Sequence, residues 1–274
     1  MAPNLSGLSS ALENWRRRTE DWLAGVGEAM SDSAFRAWAK AEAETAANIF
    51  IPIYQQVTVV SPLTAAMLRM YLRGTTADPD LIRQVGDEIG KSATFARLAG
   101  VVRAEIDREV AWQKRALSPS ELESVARRVV NTSYRDPLTN APMYFLNSDR
   151  GLQTVIGGIG GLRVAGVSIS GRTYTIRVAI ADTYDFDNNQ NVVGPNSDLA
   201  RYVAFRTRLD QYIRHRQYRQ FLWDYHQSLY LADPISRSRT FAAFMYAIEK
   251  NHLTPGGVAW EAIVPLTGEM RVGR

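Results

Sequence analysis

Residues 173–187 read TYTIRVAIADTYDFD, and this stretch decides the fold of the second half of the chain. Polar and apolar side chains alternate from Thr173 to Ile180, so Tyr174, Ile176, Val178 and Ile180 share one face of a half-buried strand. Continued in that register, Asp182 and Tyr184 would fall on the apolar face. An unpaired ionised carboxylate is costly there, so the strand is expected to end near Ala181 and to release the acids into a cleft or solvent. The preceding run, Leu162 to Ser170, is divided from Arg172 to Ala181 by Gly171, which predicts a hairpin.

Upstream of this hairpin the texture is helical. Ala-rich amphipathic segments cover 11–30, 32–49 and 93–116, with breaks at Pro52, Pro62, Gly74 and Asp78-Pro79. Ser118-Pro-Ser-Glu-Leu122 opens another helix, with Ser118 as cap, Pro119 at the first helical position and Glu121 closing a capping box. Downstream, an aromatic and arginine-rich helix is expected over 198–231, ended by Pro234. A helix over 239–250 and a last strand over 258–265 follow. These elements define an α+β chain: a helical delivery or attachment domain over 1–140, then a domain over 141–274 with a small curved antiparallel sheet and packed helices.

Composition narrows the function classes. With 274 residues, 46% apolar content and 22% charge, the chain is long enough to bury a sizeable core. Its net charge of +4 comes mostly from Arg, which favours bidentate contact with phosphates or carboxylates. The absence of Cys excludes disulfides and thiolate zinc sites. The segment Met1-Ala-Pro-Asn-Leu-Ser6 lacks the features of a secretory signal, and no apolar run approaches the ~20 residues of a membrane helix. The glycines around Ile159 match neither a P-loop nor a dinucleotide fingerprint and read as backbone turns.

The acidic run after the strand has a bland reading as a polar loop exit in which Asx side chains satisfy backbone donors. A calcium loop is excluded, because Tyr184 occupies the third ligand position and Val193 the place of the terminal Glu. The functional reading begins with the whole pattern. Asp182-x-Tyr184-Asp185-Phe186-Asp187 follows a Gly-turned hairpin; Arg239-Thr-Phe-Ala-Ala-Phe-Met245 comes later; Trp260-Glu-Ala-Ile-Val-Pro265 and Gly268-Glu269 close the sequence. In this order and spacing, 152–274 resembles the catalytic domain of the colicin M family. Two features depart from that pattern: Ser238 stands where the family has a His before its Arg, and some forty residues are inserted ahead of that Arg.

The resemblance implies a magnesium-dependent toxin that cleaves lipid II, the membrane-anchored peptidoglycan precursor, between undecaprenyl and pyrophosphate. Asp185 would be the principal catalytic carboxylate, binding Mg2+ or activating water, and Asp182 would help hold the metal. Tyr184 would orient a phosphate oxygen. Arg239, with Arg237 in reserve, would neutralise pyrophosphate charge. His226 reads as a packing or capping residue, with a general acid standing in for the missing His as its alternative role. The implied partners are lipid II, a protecting immunity protein, secretion machinery or a receptor, and a peripheral membrane contact.

Delivery is expected without a signal peptide, by type VI-type injection or as a bacteriocin, with action in the target periplasm at the inner membrane. Two other classes stay open. A basic nuclease-type toxin would use the Arg/Tyr helix as its substrate surface, although an aromatic core stripe with solvated arginines explains that helix without nucleic acid. In a non-enzymatic secretion adaptor or structural protein, the acidic motif would be only a loop.

Overall fold

The computed structural model describes residues 30–50, 63–74, 76–133, 143–144, 152, 158–184, 197–230 and 234–272, and positions 14, 17 and 21. In chain order the helices are α1 (Asp32–Thr45), α2 (Thr64–Arg73), α3 (Pro79–Lys91), α4 (Ala93–Gln113), α5 (Pro119–Arg128), α6 (Ser197–Arg214), α7 (Tyr218–Tyr230) and α8 (Pro234–Lys250). The strands are β1 (Met143–Tyr144), β2 (Gly158–Ile159), β3 (Gly161–Ser170), β4 (Thr173–Tyr184) and β5 (Val258–Glu269). The fold is α+β: helices with a small antiparallel sheet in the order β3-β4-β5, and β1 paired with β2. Of the first expected helix, Asn14, Arg17, Asp21 and Met30 are described; the first three are helical and Met30 is not.

The chain forms two compact units, and each draws on residues from both sides of position 140. One comprises 59–70, 75–184 and 258–274; the other comprises 1–58, 71–74 and 185–257.

In the sheet unit, Gly171 turns the hairpin as expected. It has a φ of 61°, while Arg172 does not share the positive φ, which is the type II′ pattern. Ser170 and Thr173 are the last paired rung. The expected end of the strand at Ala181 is corrected: β4 runs on to Tyr184, because β5 pairs with it rung by rung as far as Tyr184 opposite Val258. Backbone pairing outweighs the penalty on the carboxylate, which Asp182 reduces by remaining half-buried. β5 likewise continues past Pro265 to Glu269. Pro265 is tolerated because β5 is an edge strand, where a missing N–H breaks no ladder.

Along β5 the residues Val258, Trp260, Ala262, Val264 and Leu266 are buried and alternate with exposed ones. The helix α3 packs on this strand. A Cβ at Gly86 would lie 3.3 Å from Ala262 Cβ, and one at Gly90 would lie 3.2 Å from Val264 Cγ1, so both glycines permit the close approach. At the far end, a Cβ on Gly268 would clash with the Tyr174 phenol opposite it.

The capping box of α5 forms as read. Ser118 N–H donates to Glu121 Oε2 at 2.8 Å, and Glu121 N–H donates to Ser118 Oγ at 3.4 Å. Bonding by Arg115, then by Ser118, holds the Glu121 carboxyl down at about 2.

The helical unit is built on rings. Phe35 of α1 stacks on Tyr218 with centroids 4.2 Å apart, and Trp38 meets Phe221, Tyr225, His226 and Phe244 edge-on. Within this cluster the Tyr225 hydroxyl donates a hydrogen bond to Oε1 of the buried Glu42 at 3.0 Å. The single helix expected over 198–231 is two helices, α6 and α7. Arg216 adopts a left-handed φ of 56°, Gln217 N–H bonds Tyr212 C=O at 2.8 Å, and Arg216 N–H bonds Ile213 C=O at 3.0 Å. This pair of bonds closes a helix C-terminus. The following helix begins five residues earlier than expected, with Pro234 as its first residue, where the missing proline N–H is harmless.

Candidate functional site

The residues read as a site from sequence fall in both units. Asp182 and Tyr184 end β4 in the sheet unit, whereas Arg237, Arg239 and His226 belong to the helical unit. Asp185, Phe186 and Asp187 lie outside the described residues. Arg237 and Arg239 are in the first turns of α8, and the described part of their setting is the backbone helix alone.

Asp182 is positioned by three strands of chain. On β4 it follows the buried Ile180, and on β5 it faces Trp260, itself 5% exposed. The third element is the glycine corner between β2 and β3. Gly160 N–H donates to Asp182 Oδ1 at 3.3 Å, and a Cβ on Gly160 would lie 3.2 Å from that same oxygen. Next to it, a Cβ on Gly161 would lie 3.4 Å from Ala181 Cβ. The glycine run read as backbone turns therefore also brings a main-chain donor to the first acid of the motif. The signal was present in Gly157 to Gly161, but its relation to Asp182 depends on strand pairing.

Tyr184 is buried, 7% exposed, at the last rung of β4 opposite Val258. Its phenol thus borders the apolar face, as the alternation from Tyr174 onward requires. On the sheet's other face, Arg163 reaches both carboxylate oxygens of Glu261 at 2.8 Å. Both partners are well exposed, and the pair bridges β3 to β5 across the small Ala179 and Ala181 side chains of β4.

His226 lies among rings: Trp38 is 5.9 Å and Tyr225 5.3 Å away between centroids. It is 3% exposed, and burial pulls its imidazole down from 6.5 to about 4. At neutral pH it is uncharged and packs as an aromatic.

The arginines of α6 and the following turn are largely engaged within the protein. Arg208 pairs with Asp224 at 3.0 Å, Arg214 with Asp210 at 2.9 Å and Arg216 with Asp32 at 3.3 Å. Arg206 lies 4.1 Å over the Tyr246 ring.

Magnesium keeps several of its waters and takes one or two carboxylates, so an Asp182–Asp185 pair has the right donor chemistry. Among the described residues, no group of three or more His, Asp or Glu side chains gathers as a metal site. No helix among them is long and apolar enough to cross a membrane. Compared with protein families, with curated proteins and with solved structures, the chain matches none.

Proposed function

We propose that the chain is a magnesium-dependent hydrolase of lipid II, acting as an antibacterial toxin of the colicin M type at the target cell's periplasmic membrane face. The observation that carries this reading is the seating of Asp182. A carboxylate is retained at the end of a central strand, held half-buried by the Gly160 N–H, immediately before Tyr184 and Asp185. The order of hairpin, acidic motif, Arg-bearing helix α8 and closing strand β5 also follows the colicin M pattern.

In this reading Asp182 and Asp185 supply carboxylate oxygens, and Asp185 also accepts a proton from the attacking water. Bound magnesium would withdraw charge from the phosphoryl oxygens. Arg239, with Arg237 beside it in sequence, pairs with the pyrophosphate oxygens by bidentate hydrogen bonding. Tyr184 orients a phosphate oxygen. The partners are lipid II, an immunity protein in producing cells, and a contact-dependent injection apparatus or an uptake receptor.

The test is incubation of the purified protein with lipid II and magnesium, with and without chelator, followed by product separation. Undecaprenol should be released, and its release should disappear with chelator and with Asp185→Ala. Full activity in a folded Asp185→Ala variant, or intact lipid II under conditions that support a colicin M enzyme, would remove the assignment.

A further inference from the structure

The outer side of α4 carries a stripe that the proposed chemistry leaves unused. The inner side is fixed by Phe95, Leu98, Val102, Ile106 and Val110, all buried. On the outside, Val101 is 44% and Trp112 78% exposed. Eleven positions separate them, so they project in nearly the same direction, roughly 16 Å apart along the axis. Arg97 and Arg108 fall on the same stripe at helical spacing, and both are exposed. Lys114, in the left-handed conformation that ends the helix, and Arg115 follow directly after Trp112.

Glu105, one turn after Val101, faces the same side and is tied up in ion pairs, as is Glu121 beyond the helix end. Glu105 is held by Arg108 and by Arg128, the latter at 3.0 Å, and Glu121 by Arg115. Arg97 and Lys114, both exposed, add cations beyond those pairs, and an incoming anion meets them beside the exposed indole. Two apolar side chains divided by an ion pair are far too little for a stable protein interface, which needs about 800 Å² on each partner. They do suit the headgroup layer of a bilayer, where indole rings settle and cations meet lipid phosphates.

We infer that this stripe of α4 is a peripheral docking surface for an anionic phospholipid bilayer. Its use rests on the lipid II reading, because a membrane-anchored substrate has to be met at the bilayer surface. The contact is superficial, through one indole and its neighbouring cations, with no spanning segment among the described helices.

Sedimentation of the full chain with vesicles of phosphatidylethanolamine and phosphatidylglycerol tests it. Binding is expected, weaker on pure phosphatidylcholine and reversed by added salt. Trp112→Ser should lower partitioning roughly tenfold, through loss of the buried ring area. Arg97→Gln with Arg108→Gln should lower it by roughly tenfold or more. Trp112→Tyr should retain most of it, and Trp223→Ser, at an exposed tryptophan in the helical unit, should leave it unchanged. Circular dichroism and thermal midpoints of the variants should match the parent.

Failure of the parent chain to bind anionic vesicles would overturn the proposal, as would equal binding by folded Trp112→Ser or equal loss in Trp223→Ser. Trp112-dependent self-association without vesicle binding would identify a second copy as the occupant and overturn it too. Cleavage of lipid II in detergent micelles is scored separately: vesicle binding with intact lipid II would refute the enzyme reading and leave the surface standing.

Discussion

The two units are organised by opposite means. In the helical unit, bulk sits at the centre: Phe221 is fully buried and touches the rings of Phe35, Trp38, Tyr225 and Phe244. In the sheet unit, decisive positions are occupied by residues with almost no side chain. Gly86 and Gly90 seat α3 on β5, Gly268 leaves room for Tyr174, and Gly160 admits Asp182. The first unit should suffer most when atoms are removed and the second when atoms are added, because a cavity and an overlap are different faults.

The largest effect is expected at the ring cluster. Phe221→Ala should destabilise the helical unit by about 3–5 kcal/mol in urea titration, and a loss below 1 kcal/mol would mean that the rings do not organise that unit. For the sheet unit the matching test is an addition: Gly268→Ala should cost about 1–3 kcal/mol. Shortening Tyr174 in the same chain should recover part of that loss, and a double variant with purely additive losses would show that Tyr174 is not the obstacle.

Acid sharpens the contrast, since His226 is the buried imidazole of the helical unit. Its folded pKa of about 4 lies below the ordinary 6.5, so the unfolded chain takes the proton more readily. The stability attached to the neutral ring is present above 6.5 and lost as pH falls through 6.5 toward about 4. Between about pH 7 and pH 5 the helical unit should lose about 2 kcal/mol from this group. In His226→Phe that part of the slope should vanish, measured by denaturant titration at the two pH values; an unchanged slope would assign it to other groups. The smallest effect is local: Ser118→Ala should cost about 1 kcal/mol by removing the α5 cap, and Ser118→Asp should restore most of it.

What could be read in the sequence was local. Alternation from Thr173 to Ile180, the turn at Gly171 and the Ser118 capping box all depend on neighbours within a few residues, and each forms as read. The reading failed where the deciding partner is remote. The last rungs of β4 depend on Val258, Ala259 and Trp260, more than seventy residues further along the chain. The division between α6 and α7 carries no glycine or proline, because Arg216 takes the left-handed position itself. At the candidate site, Asp182 and Tyr184 announce themselves by their spacing. The Gly160 donor does not, since it lies 22 residues upstream and reaches Asp182 only through the pairing of β3 with β4.

The pairing of β4 with β5 also sets a timetable. Tyr184 and Val258 face each other as the last rung, yet the whole of 185–257 lies between them along the chain. The hairpin β3–β4 can zip early, closing a loop of two residues, whereas the third strand must wait until that long excursion returns. Until it does, β4 has an open edge carrying alternate apolar residues, the kind of intermediate that pairs with the wrong chain. Rapid collapse of the excursion would bring Val258 back toward Tyr184 and shorten the time for which that edge stays open.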